Sequence, residues 1–107
     1  MIRVSVSYPA GEGKTFDLAY YTNKHMPLAG ELLNPIRYEI DDGLSGVTPG
    51  SAAPYLAASY LYFETVDDFH AAAALHLERL VADIPNYTNS AAVIQISNIV
   101  ASVSPKR

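Results

Sequence analysis

The chain has no cysteine among its 107 residues, which excludes disulfides, thiolate nucleophiles and thiolate metal sites. Its core must hold by packing alone. Tryptophan is absent as well, and charged residues are sparse at 17%, with 7 Lys plus Arg against 11 Asp plus Glu for a formal net charge of -4. No Lys/Arg cluster interrupts that acidic balance, so the footprint that draws phosphate backbones is missing and nucleic acid is not an expected partner. Nowhere do about eighteen consecutive apolar residues occur, so no membrane partner is expected. The opening Met-Ile-Arg-Val-Ser-Val-Ser-Tyr alternates too strictly for a signal peptide, and the cytoplasm is the expected location. Asn86-Tyr87-Thr88 has the form of a glycosylation acceptor, which has meaning only in a secreted protein.

What is present suits one globular domain over residues 1–107, with 50% hydrophobic residues and eight tyrosines. Ile2 to Tyr8 alternates apolar and polar residues with the period of a strand. Pro9 and the Gly11/Gly13 loop end it. Asp17 is a good N-cap with Phe16 and Tyr21 placed as a hydrophobic staple, so a helix opens there. Met26 precedes Pro27 and is biased away from helical dihedrals, so the helix is expected to end or kink at His25-Met26 and resume with Pro27 in a first turn. Ile36 to Ile40 reads as a second strand, and the polar, Gly/Pro-rich stretch from Asp41 to Pro54 as a loop.

Tyr55 to Glu64 is the strongest strand signal. Tyr55, Ala57, Leu61 and Phe63 alternate with Leu56, Ala58, Tyr60 and Tyr62, so both faces are expected to be covered. Thr65-Val-Asp-Asp68 is a capping signal for a second helix reaching about Ile84, with the stripe Phe69, Ala73, His76, Leu80 and Ile84, before Pro85 stops it. Val93 to Ala101 alternates again as a last strand. Strand, helix, strand, strand, helix, strand is the order of the α+β, ferredoxin-like split βαβ fold, with a four-stranded antiparallel sheet and both helices on one face. The apolar second face of the central strand points to a homodimer formed through sheet faces.

The candidate chemistry centres on Asp17-Leu-Ala-Tyr-Tyr-Thr-Asn-Lys-His25-Met-Pro27-Leu28. Leu18, Tyr21, His25, Ala29 and Leu32 share one helical stripe, so His25 is expected to point inward. Such an imidazole either serves a pocket as acid/base or hydrogen-bonding group, or bonds a free carbonyl at the helix break. His76 lies on the inner stripe of the second helix, where it either contacts the pocket or is a satisfied core group. His70 falls to the side and is expected to be solvated. Tyr20, Tyr21, Tyr60, Tyr62 and Tyr87 are placed to line a cavity or a dimer seam. Asn86 to Asn89 either forms a polar lip over the pocket or satisfies the end of the second helix.

Metal and cofactor signals are weak. His70 and His76 are six residues apart and share no helix face, no His-x-x-x-His pair exists, and no metal is expected. Gly11-Glu-Gly13 lacks the third glycine and acidic partner of a dinucleotide fingerprint, and neither a nucleophile elbow nor a Walker loop is present, so no nucleotide cofactor is expected.

The run Phe16-Asp17-x-x-Tyr20-Tyr21-x-x-x-His25-Met26-Pro27-Leu28, together with Ala82-Asp83-Ile84-Pro85-Asn86-Tyr87-Thr88-Asn89, resembles the EthD family, named for ethyl tert-butyl ether degradation. The resemblance covers nearly the whole chain and implies one EthD-like domain of the dimeric α+β barrel superfamily. It implies an activity of oxidoreductase type, in a superfamily that also holds cofactor-independent monooxygenases, lactone isomerases and haem-degrading enzymes. No axial-ligand signature of the haem-binding relatives is present. Carried onto this chain, the motif makes His25 the polar group of the pocket, with Tyr20, Tyr21 and Pro27 beside it. Two functions are then expected. One is a cofactor-independent oxidoreductase, monooxygenase or isomerase acting on a small apolar, oxygen-bearing molecule with His25 as acid/base. The other is a non-catalytic carrier or binding accessory of an oxidative degradation pathway.

Overall fold

Ile2, Val4 and Tyr8 alternate with Arg3, Ser5 and Ser7, and that period of two lays the first group against the helices. The computed structural model describes residues 1–106. Its strands are β1 (Ile2–Pro9), β2 (Arg37–Asp42), β3 (Tyr55–Phe63) and β4 (Val93–Asn98). They form one antiparallel sheet in the order β2-β3-β1-β4. Register places Val4 opposite Leu61 and Ile96, and Ser5 opposite Tyr60 and Gln95. The architecture is the α+β, ferredoxin-like one that the element order implies. Among the described residues no helix is long and apolar enough to cross a membrane.

The helical layer comprises α1 (Leu18–Tyr20), α2 (Met26–Leu33) and α3 (Val66–Asp83). Asp17 caps the first by accepting the Tyr20 N–H at 3.0 Å, and the Phe16 and Tyr21 rings meet at 5.0 Å as the staple requires. Thr65 caps α3 by accepting the Asp68 N–H at 3.1 Å, with Asp67 and Asp68 in the first turn where the helix dipole favours them. A cap of this kind contributes about 1 kcal/mol. Asn34, at φ 50°, ends α2 in the left-handed region and sends its N–H back to the Gly30 carbonyl at 3.0 Å. At Gly30 a Cβ would lie 3.0 Å from the Tyr38 ring, so glycine permits α2 to sit close over β2.

The helix does not end at His25-Met26, and the irregularity expected there takes the form of a widened turn. Tyr21–His25 is a π turn, and Met26 is helical with φ -69° and ψ -37°. The physical reason lies in Pro27. Its missing N–H and its ring disfavour a regular ladder through the preceding turn, and the chain widens that turn instead of ending it. The Met26 N–H reaches the Tyr21 carbonyl five residues back. Tyr21, His25 and Ala29 of the inward stripe are thereby buried, Leu18 and Leu32 are half-buried, and Met26 beside the stripe is buried as well.

The other face of the sheet is less apolar than the β3 sequence implies. Tyr60 and Tyr62 do lie there, but Arg3 sits over the Tyr60 ring at 5.3 Å and Arg37 over the Tyr62 ring at 3.9 Å. Glu39 accepts from the Tyr62 hydroxyl at 2.9 Å and from Arg37 at 2.6 Å. Those two hydrogen bonds, the tyrosine's first, hold the Glu39 carboxyl below its ordinary range. The greasy row is confined to the central strand because β1 and β2 present Arg3, Ser5, Ser7, Arg37, Glu39 and Asp41 on that face.

Candidate functional site

The π turn sets His25 beneath the end of α3. Its Nδ1 lies 2.9 Å from Oδ2 of Asp83, with the imidazole side chain 8% exposed and the carboxylate 18%. Asp83 occupies the last turn of α3, where a negative charge opposes the helix dipole, so its retention depends on partners outside the helix. It has three. Besides His25, the Tyr20 hydroxyl donates to Oδ1 at 2.7 Å and the Asn86 side-chain amide donates to the same oxygen at 2.8 Å. Burial works to raise the Asp83 carboxyl, but the hydrogen bonds from Asn86, His25 and Tyr20 outweigh it and hold the group below its ordinary range. Asp83 is therefore ionised at neutral pH and can only accept, so the hydrogen shared with His25 resides on Nδ1.

On the far side of the imidazole, Nε2 lies 3.4 Å from the Tyr87 hydroxyl, and Tyr87 is 2.6 Å from the Tyr8 hydroxyl. Tyr21 stacks on His25 with ring centroids 5.5 Å apart at 11° and donates its hydroxyl to Ser59 at 2.7 Å. Phe16 closes the cluster, at 5.1 Å from the Tyr8 ring and 5.4 Å from that of Tyr87. Edge and tilted contacts of this kind add about 0.5–1.5 kcal/mol per pair to ordinary burial. Desolvation pushes the phenols of Tyr8, Tyr21 and Tyr87 far above their ordinary value, so all three remain neutral hydroxyls.

The chain directly after α3 holds this cluster in place. Ile84–Asn86 is a 3-10 turn, and the Ile84 carbonyl accepts the backbone N–H groups of Tyr87 and Thr88. Tyr87 in turn accepts the Asp17 N–H at 2.8 Å, and Thr88 bridges Phe16. Asn89 ties down the Gly11–Phe16 loop by accepting the Thr15 N–H and donating to the Gly13 carbonyl. Asn86 to Asn89 thus satisfies the helix end and also brings Tyr87 inward.

Beside His25 lies a cavity of about 70 Å³ between α3 and the sheet, lined by Val4, Val6, Tyr8, His25, Leu33, Leu61, Phe69, Leu77, Leu80, Val81, Ile84, Ala92 and Ile94. Tyr8 and His25 are the polar side chains among these. Leu77, Val81 and Ile94 are partly exposed at 39%, 49% and 52%, and mark the mouth between α3 and the edge strand β4.

Of the residues expected at a site, His25, Tyr20, Tyr21 and Tyr87 come together. The others do not join them. His76 lines a different, open groove of about 470 Å³ with Leu32, Ile36, Glu64, Asp68 and Leu75. Tyr60 and Tyr62 belong to the opposite face of the sheet. Sequence reasoning missed Tyr8, and it named Asp83 and Asn86 only within longer stretches, giving neither a place beside His25. Tyr8 had a signal, as the last inward position of β1, and so did Asp83, as an acid at the wrong end of a helix dipole.

The EthD domain model matches residues 11–91, most of the chain and all of the cluster except Tyr8. The chain belongs to the EthD family. A crystal structure of an EthD-like protein from Ralstonia eutropha is 36% identical, with a TM-score of 0.90 over 96% of this chain and 95% of that one. An EthD family protein from Bacillus halodurans is 14% identical, with a TM-score of 0.71 over 92% of this chain and 97% of that one. HapK from Hahella chejuensis is 12% identical, with a TM-score of 0.58 over 99% of this chain and its full length, 100%. The last two likenesses show the fold alone. No curated protein matches the chain. EthD membership fixes the scaffold, and the chemistry has to be read from the residues.

Proposed function

We propose that this EthD protein is an enzyme that binds a small apolar, oxygen-bearing molecule in the cavity beside His25. His25 exchanges a proton with it during a cofactor-independent oxidation or isomerisation. The observation that carries this reading is the 2.9 Å contact of His25 Nδ1 with Asp83. A carboxylate on one ring nitrogen fixes the tautomer and favours the imidazolium formed when the other nitrogen takes a proton. The apolar walls supply binding by burial, and the few polar groups at one end supply orientation. Tyr8 and His25 supply that polar end, with Tyr21 and Tyr87 packed against the imidazole and Tyr20 holding Asp83. Any electrons transferred come from the substrate or an external oxidant, since Tyr and His supply no two-electron chemistry at low potential.

We propose further that the working unit is a homodimer joined through the open sheet faces. The chain exposes 7123 Å², against roughly 5,800 Å² expected for a monomer of this mass. Part of that excess belongs to Leu44, Val47, Val100 and Val103 in extended segments, and the remainder is surface that a partner can cover. Arg3, Arg37, Glu39 and Asp41 balance in charge on that face, so two copies related by a two-fold axis can pair opposite charges.

The test is His25→Gln, screened beside the unchanged protein for turnover of small aromatic and alicyclic alcohols and ketones by mass spectrometry. Lost turnover with a native circular dichroism spectrum and retained binding is the expected result. Binding without turnover in both proteins would favour a carrier.

A further inference from the structure

The Asp83 carboxylate dictates which way every hydrogen points in the buried chain that starts from it. With the hydrogen of the first contact on Nδ1, the Nε2 of neutral His25 is a bare acceptor. The Tyr87 hydroxyl has one hydrogen and donates it there across 3.4 Å. With that hydrogen spent, the 2.6 Å contact between Tyr87 and Tyr8 is filled by the hydrogen of Tyr8. Tyr21 lowers the Tyr8 phenol only as the least of the influences on it, and its hydroxyl is turned to Ser59 at 2.7 Å, so it does not fill the Tyr8 oxygen at ordinary hydrogen-bond distance. The Tyr8 oxygen is left with a free lone pair and no hydrogen to give. Tyr8 and His25 are also the polar side chains lining the cavity.

We infer that the polar end of the cavity is a hydrogen-bond acceptor, and that its ligand is a compact apolar molecule that seats a hydroxyl there with its body in the mouth between α3 and β4, a phenol in chemical class. The inference rests on the cavity being the ligand site and adds the direction of the proton. The ligand O–H bond breaks as its proton passes to the Tyr8 oxygen. The Tyr8 hydrogen moves to Tyr87, and the Tyr87 hydrogen moves to Nε2. The products are a ligand oxyanion and an imidazolium 2.9 Å from the Asp83 carboxylate, with one proton transferred and no other bond changed. A ketone or an ether brings only lone pairs to a lone pair and is rejected.

The direction agrees with the environment of the two phenols. Burial is the main influence raising both, and their mutual hydrogen bond raises Tyr8 further while working to lower Tyr87, as a donor and its acceptor should behave. The contact at 3.4 Å is long and the one at 2.6 Å short, so the link that must tighten during transfer is the one between Tyr87 and His25.

Two measurements on the full chain test this. Nitrogen NMR of His25 at mildly alkaline pH should show Nδ1 protonated and Nε2 bare. Hydrogen on Nε2 would reverse the chain and overturn the inference, whatever binds in the cavity. Calorimetry with phenol and its methyl ether, anisole, should show phenol bound at least ~10-fold more tightly, a difference of about 1.4 kcal/mol. In Tyr8→Phe that preference should collapse. Anisole binding as tightly as phenol to the unchanged protein would overturn the acceptor assignment while leaving the cavity as the ligand site. Failure of both probes to bind would remove the site and the inference together.

Discussion

Asp83 and His25, 58 residues apart in sequence, meet at 2.9 Å under the end of α3. The contact requires two irregularities of the chain. The π turn Tyr21–His25 delivers the imidazole, and the acid at the helix C-terminus receives it. Neither is favoured locally. Their coincidence at one spot is why this pair, more than the apolar cavity alone, carries the functional reading.

The pH dependence of stability should follow the carboxylate. Because Asp83 is held below its ordinary range, its contribution is present above the unfolded carboxylate value of about 4 and disappears as pH falls through the lower folded value. In urea titrations, the unchanged protein should be more stable than Asp83→Asn at neutral pH. The gap should stay open on acidification to about pH 4 and close only below it. A gap already closed in the mildly acid range would mean that Asp83 is not held down by its partners.

The buried phenols give the opposite sign. Tyr8, Tyr21 and Tyr87 are pushed upward, so their contribution is full below the unfolded value of about 10 and is lost as pH climbs above it. An ultraviolet tyrosinate titration should show these three of the eight tyrosines failing to ionise until the fold gives way. Reversible ionisation of all eight in the folded protein would contradict the buried cluster.

Leu80 is 5% exposed and lines the cavity. Leu80→Ala should cost about 2–5 kcal/mol in chemical denaturation, the range for a buried leucine whose surroundings relax only in part. It should also admit bulkier ligands beside His25. A loss under about 0.5 kcal/mol, the size of an ordinary surface substitution, would show that the cavity collapses freely.

Ser5 stands at the centre of the open sheet face, opposite Tyr60 and Gln95. Sedimentation should give the unchanged protein twice its chain mass at micromolar concentration. Ser5→Arg adds an unpaired charge beside Arg3, so it should yield folded monomers. A monomeric unchanged protein would rule out the dimer.

Much of the fold was legible because its signals are local and periodic. Alternation in Ile2–Tyr8 and Tyr55–Phe63 assigns the strands, and Asp17 and Thr65 assign the helix starts, each through a cap that a sequence can display. Half of the cluster was legible for the same reason, since Tyr21 and His25 lie one turn apart on a single stripe. His76 shows where that reasoning stops. It shares the inner stripe of α3 with Leu80, but it lies seven residues from Asp83, roughly 10 Å along the axis, and opens into another groove. Tyr60 and Tyr62 are fixed to the opposite face by strand register, which pairing partners decide. The π turn was illegible because the bias of a residue before proline describes an isolated dipeptide, whereas burial of His25 and Met26 rewards keeping the helix.

The proposed meeting place of this protein and its small-molecule ligand is the His25 cavity. The most direct test maps backbone amide shifts on adding phenol and, separately, cyclohexanone, two probes of similar size and different oxygen chemistry. Phenol should move the resonances of Val6, Tyr8, His25, Leu80 and Ile94, and cyclohexanone should leave them in place. Shifts confined to the groove around His76, or to Tyr60 and Tyr62 on the open sheet face, would contradict it.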